Sequence, residues 1–253
     1  ARFDDVVLDA DVDVVLAPGV HDEPSTIIVT RPDEAHVHIS GASSATTTLR
    51  FTNQNGFQAD HDGQLGSIAQ LTVVGNDAAN TIGIAALNGA RVHTGGDVVV
   101  AHFGTGAFAL RHAELEIGGI KVQNNVNGVI AVDGSYVDAT GAVAALNVTG
   151  FIANVGSVIE APGCIASLNR TAAGGVGIEA LNESVVIASS CQIGNNILGV
   201  FITNESSVAA DSAAFALNDT NFNVSVSSSA RRDAATGDAT AKTVVDSTST
   251  VFP

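Results

Sequence analysis

Five asparagines in one register constrain this chain more than any other feature. With Gly106, Gly128, Gly150, Gly177 and Gly199 as position zero, position +19 is Asn125, Asn147, Asn169, Asn196 and Asn218. Other columns follow the same count. Position +7 is Ala113, Ser135, Ser157, Ser184 and Ser206, and position +9 is Leu115, Val137, Ile159, Val186 and Val208. Position +11 is Ile117, Ala139, Ala161, Ala188 and Ala210, and position +3 is alanine until Ile202. Successive glycines lie 22, 22, 27 and 22 residues apart, Gly83 precedes them by 23, and the five-residue excess falls at Thr171 to Gly175. A period in the low twenties marks a solenoid, whose repeats bury their apolar faces only against their neighbours.

Positions +1 and +3, +9 and +11, and +14 and +16 share one sense, which for strands of period two is inward. Each repeat is then a triangular coil of three short strands. The expected turns use the +19 asparagine for a left-handed backbone, with the glycine three residues later accepting that conformation. Stacking places Asn over Asn, so the amides can bond along the stack. The fold class is therefore all-β, a right-handed single-stranded parallel β-helix with coils of about 22 residues. Few aromatics, no Trp and no Met agree with a narrow interior of small and branched side chains.

The repeat divides the chain into residues 1–55, a cap with irregular strands, 56–226, the β-helix, and 227–253, a terminal cap or linker. Residues Val6 to Leu8, Val12 to Leu16, Thr26 to Thr30 and His36 to Ile39 read as strands of the first segment. The first residue is Ala1 with no signal-peptide pattern after it, which suggests a processed or excised piece. A net charge of -16 repels phosphate backbones, so nucleic acid is a poor partner, and no apolar run approaches a membrane span.

Outward positions carry the chemistry. Position +10 is Glu116, Asp138 and Glu160 in successive coils, a column of carboxylates at the strand spacing of about 4.8 Å. Glu114 and Tyr136, the single tyrosine, stand beside it at +8. A ring that packs on a sugar and carboxylates that exchange protons suit a carbohydrate site. Tyr136, Glu114 and Asp138 are the binding candidates, and Asp138, Glu160 and Glu116 the catalytic ones; a solvated acidic stripe is the plainer reading of the same residues. No metal or cofactor is expected. His36 and His38 read as surface histidines, Asp9, Asp11 and Asp13 and the triplet Asp60-His61-Asp62 as solvated edges, and the Asn-x-Ser/Thr triplets as products of the repeat. Cys164 and Cys191, both at +14, are expected as stacked free thiols inside strand three, their β-carbons held too far apart to bond.

The outward face of strand one is apolar: Phe108, Leu110, Ile130, Val132, Ile152, Leu181 and Phe201. Such a strip calls for a partner, most simply a closed symmetric assembly with strand one toward its axis.

These columns resemble the β-helical shafts of tail fibres and tailspikes of tailed bacteriophages, over roughly residues 83 to 226, with Gly150 to Ala161 and Gly199 to Ala210 carrying the likeness. The resemblance implies a homotrimeric virion protein of the tail, extracellular, joined to other tail or baseplate proteins and contacting a host glycan or protein. The fold is shared by pectate-lyase-like enzymes and bacterial adhesins, so a polysaccharide lyase or hydrolase, or an adhesin, is the alternative.

Overall fold

The computed structural model describes residues 10–170, 174–237 and 242–252. Three parallel sheets of 11, 10 and 10 strands form a right-handed β-helix, each strand pairing with its equivalents in the coils before and after. Strand one runs as Thr105–Leu110, Asn127–Val132, Thr149–Asn154, Val176–Leu181 and Leu198–Ile202. The register is the one the repeat demands: Phe108 pairs with Ile130, Ile130 with Ile152, Ile152 with Glu179 and Glu179 with Phe201. The columns at +1, +3, +9, +11, +14 and +16 point into a core in which Phe151, Ile178, Leu115, Ile159, Ile120 and Ile193 are fully buried.

The same sheets continue outside the regular repeat. Val12–Val15, Gly19–Glu23 and Ile27–Val29 make the first coil, and Ser229–Arg231 and Thr250–Phe252 continue the second sheet, across the sequence boundaries at 55 and 227. His36 ends a 3-10 turn, Pro32–His36, instead of lying in the strand that begins at Val37. Val6 to Leu8, Asp9 and most of the loop excess, residues 171–173, lie outside the described residues.

Two side-chain ladders hold the corners together. The Oδ1 of each +19 asparagine accepts the backbone N–H of its equivalent one coil earlier: Asn125 N–H to Asn147 at 2.9 Å, Asn147 to Asn169 at 3.0 Å, Asn169 to Asn196 at 3.1 Å and Asn196 to Asn218 at 3.0 Å. Each Nδ2 donates to a strand-three carbonyl of the preceding coil, as Asn147 does to Val122 O at 3.0 Å and Asn196 to Ala166 O at 2.9 Å. Buried serines do the same at the opposite corner, Ser135, Ser157 and Ser184 each donating a backbone N–H to the next Oγ at 3.1–3.2 Å. Main-chain bonds between coils run on through the corners, as from Leu146 N–H to Ser167 O at 3.2 Å, but the +19 and +7 amides are bonded by these side-chain rungs, which satisfy polar groups that would otherwise be buried without a partner.

The ladder revises the turn chemistry. The left-handed residue is at +18, not +19: Asn124, Leu146, Leu168, Asn195 and Leu217 have φ of 56° to 60°, whereas the ladder asparagines do not take positive φ. Nor do the column glycines; they are glycine because of close approach. A Cβ on Gly177 would stand 2.6 Å from Gly199 O and 2.9 Å from Asn196 Nδ2. The asparagines serve through their amides, and the glycines leave room for them.

The cysteine expectation fails. Cys164 and Cys191 form a disulfide with their α-carbons 4.5 Å apart, inside the bridging range. Both precede strand three at a corner and do not sit within the strand, so their side chains are not held parallel. Alkylation of the denatured, unreduced chain should therefore label no thiol. Cys191→Ala should cost about 3.5 kcal/mol, the loop-closure value for a ring of this size; quantitative labelling before reduction would contradict the bond.

An asparagine prediction follows from the rungs. Asn169→Ala strands the backbone N–H of Asn147 inside the corner and should cost about 2 kcal/mol or more in urea unfolding. Gln192→Ala, exposed at the start of its strand, should cost far less.

Candidate functional site

The second sheet presents the acidic stripe. Glu116 pairs with Asp138 and Asp138 with Glu160, while Glu114 pairs with Tyr136 alongside, so the column and its tyrosine form as the spacing requires. Their inward neighbours Leu115, Val137 and Ile159 are buried, which fixes the outward direction of the rest.

The four carboxylates are not equivalent. Glu160 Oε2 accepts the Tyr136 hydroxyl at 3.0 Å. Asp138 Oδ1 accepts both the backbone N–H and the hydroxyl of Thr140, at 2.9 and 2.6 Å, so one of its oxygens shapes the turn that follows. Glu114 is ion-paired with Arg91 Nε at 2.9 Å. Glu116 is exposed and has no such partner among the described residues. Of the catalytic candidates it alone has both oxygens open. Tyr136 is driven up to about 12 by burial first, then by its bond to Glu160 and the surrounding carboxylates.

The stripe opens onto a shallow groove of about 220 Å³ lined by Gln64, Gly66, Arg91, His93, Glu114 and Glu116, with Ala35 also at its wall. Its origin is a break in register: Val92 pairs with Leu65 but Thr94 with Ile68, one extra residue in the strand Gln64–Ala69. Bulges of this kind bend a sheet locally and re-aim side chains. Gly66 is required, because a Cβ there would meet the Ala35 carbonyl of the 3-10 turn. Arg91 and His93 were missed in the sequence, although counting +8 and +10 from Gly83 gives those two residues. Beyond the groove, His36 Nδ1 lies 2.9 Å from Asp11 Oδ1, and His38 Nδ1 is bonded to Ser67 Oγ at 3.0 Å. The hydrogen bond from His36 is the largest cause lowering the Asp11 pKa. No cluster able to hold a metal occurs among the described residues.

Strand one carries a different surface. Phe108, Leu110, Ile130, Val132, Ile152, Leu181 and Phe201 are half-buried in the single chain, flanked by one another along the ladder. Glu179 interrupts them between Ile152 and Phe201. Burial raises its pKa.

Comparison places the fold among known proteins. No family model and no curated protein matches the chain. Among solved structures it is similar to the enzymatically active domain of bacteriophage CBA120 tailspike protein 2, with a TM-score of 0.69 and 14% identity over 89% of this chain. The match spans 38% of that domain's length. It is also similar to the A-module of the Azotobacter vinelandii mannuronan C-5 epimerase AlgE6, with a TM-score of 0.53 and 14% identity over 96% of this chain and 91% of that one. The catalytic domain of a GH87 α-1,3-glucanase follows, with a TM-score of 0.51 and 11% identity over 95% of this chain and 64% of that one. The class is thus the parallel β-helix shared by phage tailspikes and polysaccharide-acting enzymes.

Two predictions arise from the titrating groups. With one tyrosine and no tryptophan, ultraviolet absorbance reports Tyr136 alone. Its ionisation should be centred near 12 and move toward the ordinary value of about 10 in Glu160→Gln; an unshifted midpoint in the variant would remove the interaction.

For Glu179, a folded pKa above the unfolded one means a contribution to stability that is complete below the unfolded value and lost as pH rises through the folded value. Glu179→Gln should match the parent at about pH 4 and melt several degrees higher at neutral pH. Equal melting at both would contradict the burial.

Proposed function

We propose that the chain is a structural and host-contacting segment of a phage tail fibre or tailspike, carried on the virion tail outside the cell. It would assemble as a homotrimer with strand one toward the axis and join other tail or baseplate proteins. The observation that carries the host-contacting role is the second-sheet stripe, where Tyr136 lies between carboxylates next to the bulged groove. A ring flanked by hydrogen-bond acceptors suits a sugar, whose face is apolar and whose rim is hydroxyl. The acidity of the stripe and a net charge of -16 favour a neutral or amine-bearing glycan over a uronate or phosphate polymer.

Cleavage is the second reading, favoured by one observation: Glu116 stands open at the groove while Glu160 is tied to a phenol. Carboxylates in unlike surroundings are what acid and base roles require. The groove is shallow, however, and contact without cleavage is the better fit.

Host-surface polysaccharide binding, measured by calorimetry or on glycan arrays, tests the proposal. Tyr136→Ala should weaken binding roughly tenfold or more, the loss of one stacked ring and its bonds, while leaving the melting temperature nearly unchanged. Release of reducing or unsaturated ends that stops in Glu116→Gln would establish the enzyme. No binding to any glycan of the host surface would retire the host-contacting role.

A further inference from the structure

We infer that Ser67, His38 and Asp11 form a hydrolytic centre at the edge of the second-sheet groove, which removes a small acyl group carried as an ester on a hydroxyl of the bound glycan. The ester's place on a glycan rests on the sugar-contacting reading above. The nucleophile and its partners do not depend on that reading.

Ser67 owes its position to the bulge. In the strand Gln64–Ala69 the buried, inward residues are Leu65 and Ile68, three apart, so two consecutive residues, Gly66 and Ser67, fall between them where regular alternation has one. Gly66 has no side chain, which leaves the Ser67 hydroxyl alone there. Register sets it beside His38, its pair in the preceding coil, while His93 lies opposite the bulge in the following one. The His38 ring is confined as well. A Cβ on Gly66 would stand 2.8 Å from His38 Cε1, so the ring rests where only a glycine leaves room.

The contacts run in the order that nucleophilic catalysis needs. Ser67 Oγ lies 3.0 Å from His38 Nδ1, within reach for proton transfer. For Nδ1 to accept, the ring hydrogen must be on Nε2, and that nitrogen faces Asp11 Oδ1 at 3.7 Å. Asp11 is tethered in turn by His36 Nδ1 at 2.9 Å. A nucleophile, a base and a carboxylate that selects the base's tautomer thus stand in line. The Asp11 contact is longer than a hydrogen bond, and contacts of this kind commonly tighten when substrate binds. Asp13, paired in register with His38, adds a second carboxylate on the same side. Ser67 and His38 are both partly exposed, so an ester can reach them.

Water is the only co-reactant required. Ser67 Oγ bonds to the acyl carbon while its proton passes to His38 Nδ1; the bond from that carbon to the sugar oxygen breaks, and the sugar hydroxyl leaves with the proton. Water then attacks the acyl-serine and gives a proton to the same Nδ1. The carbon–Oγ bond breaks, the carboxylic acid departs, and Ser67 regains its hydrogen. The groove begins at Gly66, next to Ser67, and Arg91 and His93 in its lining are the donors for the acyl oxygen. A shallow groove suffices for this chemistry. Glycosidic cleavage draws on distortion of the sugar ring, whereas an ester projecting from the chain is attacked at the surface. A neutral acyl group also meets no repulsion from the acidic stripe.

Hydrolysis of 4-nitrophenyl acetate and of glucose pentaacetate by the full chain tests the inference, together with mass spectrometry after trapping with a fluorophosphonate. The parent should turn over both esters and carry the phosphonate on Ser67. Ser67→Ala and His38→Gln should each lower kcat by about a hundredfold or more while melting near the parent. Asp11→Asn, a change to a positioning residue, should lower kcat with KM little altered, a split that general loosening of the fold would not give. Parent-level hydrolysis in Ser67→Ala, or a phosphonate found only on other serines, overturns the inference; if Ser67→Ala fails to fold, the labelling of the parent decides. The aryl ester needs no glycan contact. Turnover that depends on Ser67 alongside empty glycan arrays therefore supports the centre and counts against the sugar reading, whereas glycan binding without Ser67-dependent hydrolysis of either ester overturns the centre and leaves that reading intact.

Discussion

Everything in this molecule depends on the hydrogen bonds that cross from coil to coil at the corners. Within the sheets, parallel main-chain pairing is repetitive, and a slip of two residues would keep the same side chains facing inward. At the corners that pairing passes over the +7 and +19 amides, and a stranded amide there costs on the order of 1–3 kcal/mol. The asparagine and serine ladders supply the missing partners, and each rung forms only if the following coil holds its asparagine or serine at the same count. Register is thereby fixed from Phe103 to Asn218. The disulfide from Cys164 to Cys191 adds a covalent rung across the longer interval between Gly150 and Gly177, where the spacing departs from 22 residues.

A fixed register turns one-dimensional spacing into surface chemistry. Residues 22 apart become neighbours, so outward columns gather side chains of like character over several successive coils. The second sheet carries carboxylates, Tyr136 and the Arg91–Glu114 pair. Strand three carries small and apolar residues, and strand one carries apolar residues broken by Glu179. Sorting charge by face gives a strongly acidic protein surfaces of unlike chemistry along one shaft.

What the sequence revealed tracks what repeats. The three strands, the inward columns and the stripe Glu116, Asp138 and Glu160 were legible because each recurs in several coils. The turn mechanism was misread, since a column of asparagine followed by glycine is equally compatible with left-handed backbone and with buried amides beside a close approach. Only the φ values of Leu146 and Leu168, and the space around Gly177, separate the two. The groove was illegible for the opposite reason. It arises where the repeat fails, at the extra residue between Leu65 and Ile68, and its wall is a 3-10 turn from outside the regular coils. The disulfide was missed because strand geometry was applied to residues that stand just outside the strands.

Amide hydrogen exchange, resolved residue by residue by NMR, tests the corner ladder most directly. The backbone N–H groups of Asn125, Asn147, Asn169 and Asn196 lie at corners, outside the strands, where exchange is ordinarily fast. The ladder predicts that they exchange as slowly as the buried strand amides of Val129 and Phe151, and that their side-chain amide protons are protected with them. Exchange at the rate of an unbonded turn amide would show that the rungs do not hold the coils together.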